Sequence, residues 1–249
     1  MYGDLERPPL HAASLTRALE PEGWRVEVVS QAPSTQALVR ARAGEDAGLV
    51  VVAEEQTHGR GRLDRSWSSP VRAGLTFSVL LRPDLPVERW GWVPLLAGLA
   101  VAEAVREQAE LDAVLKWPND VLVGGKKVAG LLAEVASGTR SAVVLGIGLN
   151  VTTRADELPH EGASSLLLAG ASSTDRTTLL KAVLRSLHGV LGDRPYASYR
   201  GRCSTLGREV RLELPGGGSV EGIAEGVDDE GRLVVAGRAY AAGDVVHLR

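Results

Sequence analysis

Apolar residues recur along this chain with two periods, and the two periods predict its elements. Alternating or continuous apolar runs bounded by turn residues predict strands. They cover Arg25–Val29, Leu49–Ala53, Leu75–Leu81 and Ala113–Leu115. Val121–Val123 and Lys127–Leu132 flank Gly124-Gly125, a two-residue hairpin signal. Ala142–Val151 is a further strand, in which Gly146 and Gly148 are expected to break the run. Helical spacing covers Ala12–Leu19, Gln36–Ala43, Trp92–Glu110 and Arg176–Leu191. Ser34 or Thr35 can cap the second of these, and Pro94 suits the first turn of the third. Strands and helices mix, and one hairpin is explicit. The class is α/β or α+β with a mixed sheet.

Near Cys203 the texture changes. Short runs at Arg208–Leu214, Ser219–Val227, Arg232–Val235, Arg238–Tyr240 and Asp244–Leu248 are separated by Gly- and Asp-rich turns. Tight spacing of this kind predicts a small barrel behind the main domain. The expected division is residues 1–203 and 204–249.

Composition narrows the chemistry. The 249 residues carry 28 basic and 31 acidic side chains, a net charge of −3. A basic footprint over the whole molecule is therefore excluded, and any cationic patch is local. The single cysteine, Cys203, excludes an internal disulfide framework and a cysteine-based zinc site. It has no partner in sequence and reads as a buried, inert thiol. The first 25 residues hold no signal-peptide core, and they are too short for a helix-turn-helix DNA reader. No apolar run reaches the length of a membrane span. A cytoplasmic protein that binds neither DNA nor membrane is the expectation.

The chemistry concentrates at residues 53–67. Arg60, Arg62 and Arg65 are interleaved with Gly59 and Gly61, and Trp67 closes the stretch. Arginines offer fork-shaped donors to phosphate or carboxylate, glycines allow close backbone approach, and an indole presents a flat face to a ring. Together they suit an anion carrying an aromatic base, such as a nucleotide. Arg-Gly stretches also occur as RNA-attracting segments and as plain basic loops. Confinement between two predicted strands favours a site. Lys116-Trp117-Pro118-Asn119-Asp120 is the second signal, because Pro118 stiffens a strand exit that carries a lysine. By itself it could be an ordinary turn. With the arginine loop it would give one site four cations. Gly130, Gly146 and Gly148 would let a ligand approach backbone, and Asn150 adds a polar group.

These motifs, with Gln56 ahead of the arginine loop, Lys127-Val-Ala-Gly130 and Gly146-Ile-Gly-Leu-Asn150, resemble those of biotin protein ligases in order and spacing. The resemblance runs from Ser34 to Arg249 and is closest to the short form without an N-terminal DNA-binding domain. It implies a catalytic domain related to class II aminoacyl-tRNA synthetases and an SH3-like C-terminal barrel. By the same resemblance Ser34, Thr35, Gln36, Gln56, Arg60, Gly61, Arg62, Lys116 and Gly130 would contact biotin, with Gln36 standing where the family has asparagine. Arg62, Arg65, Trp67, Lys116, Asn150 and Arg249 would serve ATP. Lys116 and Arg62 would be catalytic, Lys116 lying between the biotin carboxylate and the α-phosphate. His58 is set aside as a loop histidine.

The implied reaction activates biotin with ATP as biotinyl-5'-AMP, then passes it to a lysine of a biotin carboxyl carrier domain of a carboxylase. Mg2+ is the implied ion, with no protein ligand identifiable. A monomer or weak homodimer is implied. Two anions must meet in the first step, which is why cations are needed. The second step needs the anhydride kept from water, a task for a 54–68 lid. The alternative is a lipoate or octanoyl ligase or transferase of the same fold, whose Arg-Gly-Gly-His pattern is missing.

Overall fold

The predicted strands assemble into a seven-stranded sheet with spatial order β1-β2-β5-β9-β8-β7-β6. The computed structural model describes residues 6–62, 65–136 and 141–248. β1 (Arg25–Val29) runs parallel to β2 (Leu49–Ala53). Every other pairing, through β5 (Gly74–Leu81), β9 (Ala142–Asn150), β8 (Lys126–Ala136), β7 (Asp120–Val123) and β6 (Ala113–Lys116), is antiparallel. The sheet is mixed, as expected. The Gly124-Gly125 hairpin forms with φ of 56° and 77°, the left-handed pair that this turn needs.

Helices cover the sheet because its strands alternate. Leu75, Phe77, Val79 and Leu81 of β5 share one core with Val143, Leu145, Ile147 and Leu149 of β9. Onto that face packs α3 (Trp92–Ala109), apolar on nearly every side, backed by α1 (Ala12–Leu19) and α4 (Arg176–Asp193). The opposite face carries α2 (Thr35–Ala41), where Val39 meets Leu49, Val51, Leu80 and Val144. Ser34 caps α2, its hydroxyl accepting from the Ala37 N–H. A short helix, α5 (Tyr196–Arg202), follows α4.

β9 corrects one expectation. Gly146 and Gly148 do not break it, because β5 and β8 hydrogen-bond it from both sides through the glycines.

The C-terminal strands β10 (Glu209–Glu213), β11 (Ser219–Val227), β12 (Leu233–Val235), β13 (Arg238–Tyr240) and β14 (Asp244–His247) form a separate antiparallel sheet, order β13-β12-β11-β10-β14. It docks on the first unit. The Trp92 indole N–H donates to Asp228 O at 3.1 Å, and that of Trp117 to Gly231 O at 3.2 Å. Gly91 and Gly231 meet backbone to backbone, where an added Cβ on either would fall within 3 Å of the other segment. Among the described residues, no helix is long and apolar enough to cross a membrane.

Candidate functional site

A cavity of about 270 Å³ opens on the α2 face of the sheet. Its origin lies in alternate residues. On that face β9 reads Val144, Gly146, Gly148, Asn150, and β5 reads Leu80, Ser78, Thr76. Each strand starts with an aliphatic side chain under α2 and then loses bulk. The hollow is the space those missing side chains leave.

Its floor is polar. The Thr35 N–H donates to Gln56 Oε1 at 2.7 Å, and the Thr35 and Ser78 hydroxyls lie 2.9 Å apart. Ser78 donates to Gln36 Oε1 at 3.1 Å, while Gln36 Nε2 donates to Val144 O at 2.9 Å. The Gln36 amide is thereby held by the protein on both ends. A Cβ on Gly146 would fall 2.6 Å from Gln36 Oε1, so a larger residue there would displace the Gln36 amide. Ser34, Thr35, Gln36 and Gln56 all line the cavity.

The arginine loop forms the roof. Two-residue strands β3 (Gly59–Arg60) and β4 (Ser66–Trp67) pair across it, an element too short for the sequence pattern to disclose. Arg60, Gly61, Arg62, Arg65 and Trp67 line the cavity. Arg62 Nη1 donates to Asn119 Oδ1 at 3.2 Å. Burial pulls the Arg62 guanidinium below its ordinary pKa, and the carboxylates of Asp244 and Asp120 oppose that shift. It remains a cation. Arg65 pairs with Asp244, a cavity residue contributed by β14 of the C-terminal sheet. The Trp67 ring lies over Gly148 and Gly130, where added Cβ atoms would come within 2.3 Å and 3.1 Å of its carbons.

The lysine in this cavity is Lys127. Its Nζ is 2.6 Å from Asp120 Oδ1 and 5.9 Å from the centroid of Trp67. Strand parity would put Lys127 on the face opposite Gly130. A bulge at Val128 shifts β8 against β7, from the Val121–Ala129 pair to Leu122–Lys127, and restores Lys127 to the cavity face. The Lys127 backbone is also pinned to residues 162–164 by hydrogen bonds of 2.9 and 2.8 Å.

Lys116 requires a correction. It sits opposite Asp120 on β6, the outermost strand, and does not line the cavity. Its charge is felt by His247 of the C-terminal sheet. One strand spacing, roughly 4.8 Å, carries it beyond the hollow. Gly130 and Asn150 line the cavity as expected, with Asn150 Nδ2 donating to Ser164 O at 3.0 Å. Arg249 lies outside the described residues. Sequence reasoning missed Thr76, Ser78, Asn119, Asp120, Thr153, Glu157, His160 and Asp244. The sequence signal for Lys127 is the motif Lys127-Val-Ala-Gly130, in which the resemblance assigns a contact to Gly130 alone.

The result is a polar-floored pocket lined by four cations and an indole, a combination suited to an anionic ligand that carries an uncharged polar group and a ring. Among the described residues, no group of three or more His, Cys, Asp or Glu side chains is arranged for a metal ion.

Residues 28–150 match the model of the Biotin/lipoate A/B protein ligase family, and residues 205–248 match the Biotin protein ligase C terminal domain. The chain is 47% identical to a biotin–[acetyl-CoA-carboxylase] ligase of Mycobacterium tuberculosis, over 99% of this chain and 98% of the relative. It resembles the biotin protein ligase from Aquifex aeolicus in complex with biotin and ATP: 29% identity, TM-score 0.71, covering 90% of this chain and 99% of that one. The Leishmania major biotin protein ligase in complex with biotinyl-5-AMP gives 28% identity and a TM-score of 0.63, covering 90% and 98%.

Proposed function

The chain belongs to the biotin protein ligase family, and from that premise we propose how its own residues carry out the two half-reactions. A biotin carboxylate oxygen attacks the α-phosphorus of ATP, pyrophosphate leaves, and biotinyl-5'-AMP remains. The amine of an acceptor lysine then attacks the carbonyl of that anhydride, losing a proton, and AMP departs.

The floor formed by Thr35, Gln36, Gln56 and Ser78 receives the ureido end of biotin, because it offers donors and acceptors without net charge. The carboxylate then lies beneath Lys127 and Arg62. The observation that carries the reading is their shared cavity: Lys127 and Arg62 line one hollow with Asp120 and Asn119 between them. Two cations there offset the repulsion between carboxylate and phosphate, and stabilise charge that develops on the transferring phosphorus. Arg60 and Arg65 serve the outer phosphates. Trp67 and Asn150 serve the base and ribose side. The loop bearing β3 and β4 shields the anhydride from water.

Magnesium enters as part of MgATP, bound to the β- and γ-phosphates. Residues up to about 203 form the catalytic unit, and the C-terminal sheet is an SH3-like module that presents Asp244 to the roof. The acceptor is a biotin carboxyl carrier domain of a carboxylase, a reading supported by the Mycobacterium tuberculosis relative, whose name specifies acetyl-CoA-carboxylase.

The deciding experiment mixes the protein, biotin, MgATP and a carrier domain, and weighs the carrier by mass spectrometry. Added mass on one lysine with biotin, and none with lipoate, is the expected result. Acylation with lipoate alone would move the chain to the related lipoate chemistry.

A further inference from the structure

The segment before α1 is laced across one end of the sheet. Arg176 and Glu54 form an ion pair at 2.7 Å with side chains only 5% and 8% exposed. Arg176 also donates to Pro8 O at 2.6 Å and Gly74 O at 3.2 Å, and Glu54 Oε1 accepts from the Leu10 N–H at 2.7 Å. Residues 8–10 are thereby fixed to the core.

Arg7 reaches the other way. Its guanidinium donates to both oxygens of Glu157, at 3.1 and 2.5 Å, and to Thr152 O at 3.0 Å. Glu157 also accepts from the Arg154 N–H at 2.8 Å. Glu157 lines the cavity, as do Thr153, Leu158, Pro159 and His160. This wall continues from Asn150 and contains one short 3₁₀ turn, Ala155–Glu157, so tethers rather than a strand or long helix set its position.

We infer that Arg7 is a positioning residue for the nucleotide half of the cavity, holding the 152–160 wall in place through Glu157. The inference rests on the ligase reading. Arg7 does two things for a triphosphate. It fixes the wall, and it neutralises a carboxylate that would otherwise face the incoming phosphates. Loss of Arg7 removes both effects at a site that touches neither biotin nor the reacting atoms.

The test compares full-length wild type, Arg7→Ala and Arg7→Lys by biotin-dependent pyrophosphate exchange and by backbone hydrogen exchange without ligand. Arg7→Ala raises the KM for ATP about tenfold, the scale of a lost charge-assisted bidentate contact, and leaves kcat and the biotin KM within about twofold. The same variant exchanges faster at residues 152–160, while β8 and β9 keep their protection. Arg7→Lys recovers most of both effects. An unchanged ATP KM with unaltered exchange at 152–160 overturns the inference. So does a uniform loss in kcat and both KM values with faster exchange across the sheet, which marks general destabilisation. The exchange measurement needs no substrate. A wild type without pyrophosphate exchange would therefore remove the ligase reading while the tether is still tested on its own.

Discussion

Lys127 and Lys116 lie on strands separated by β7 alone and differ in everything the chemistry needs. Lys127 lies beside Asp120 under the roof, and Lys116 lies on the edge strand near the C-terminal sheet. Lys127→Ala is therefore expected to slow adenylate formation by about 10²–10³, the cost of removing one oriented electrostatic group. Lys116→Ala should retain most of the rate. Pyrophosphate exchange measures both, and the reverse order would return Lys116 to the mechanism. Gly148→Ala makes a second residue-scale case. Its Cβ would fall 2.3 Å from the Trp67 ring, so the indole must move. Overpacking of this kind costs about 1–3 kcal/mol, and the KM for ATP should rise by roughly tenfold if the indole meets the base. The cavity arginines, Ser34, Thr35, Gln36, Gln56 and Gly130 were legible in the sequence because each belongs to a motif, whereas Ser78 of the floor belongs to none. The placement of Lys127 in the cavity was not legible, because strand parity points it away and only the bulge at Val128 turns it back.

At the scale of elements, the long ones follow directly from periodicity. α3 was expected at Trp92–Glu110 and spans Trp92–Ala109, and β2 spans the expected Leu49–Ala53. α3 is buried almost all round, and Leu99 is fully inaccessible. Leu99→Ala is expected to destabilise the fold by about 2–5 kcal/mol, read as a lowered midpoint in urea with an unchanged slope. The short elements escaped. β3 and β4 hold two residues each, and α5 spans seven with little apolar spacing, so neither offers a period to detect. The glycines of β9 misled for a different reason. In an isolated strand they weaken pairing, but between β5 and β8 they clear space for Gln36 and Trp67 while every backbone group stays in the ladder.

At the scale of the whole molecule, the two larger sheets share one apolar core, and a few polar contacts are set into the seam between them. Thr205 Oγ accepts from the Trp117 N–H at 3.1 Å and lies 3.3 Å from His247 Nε2. For Thr205 to donate onward, His247 must be neutral at that nitrogen. Burial, then Lys116 and Arg208, hold the His247 pKa below its ordinary 6.5. The unfolded chain therefore binds the extra proton first. Stability from this group is complete above the unfolded pKa and is lost as pH falls through the lower folded value. Thermal melts between about pH 7 and 5 should show a steeper fall for wild type than for His247→Gln, and parallel curves would exclude His247 from the seam. The assembly has one more consequence. Of the five tryptophans, Trp67 alone lines the cavity, and Trp24, Trp92 and Trp117 are packed in the interior. Whatever settles against that indole changes its surroundings and leaves those three untouched, so the protein carries its own optical gauge of occupancy, readable in unlabelled solution as a shift in emission.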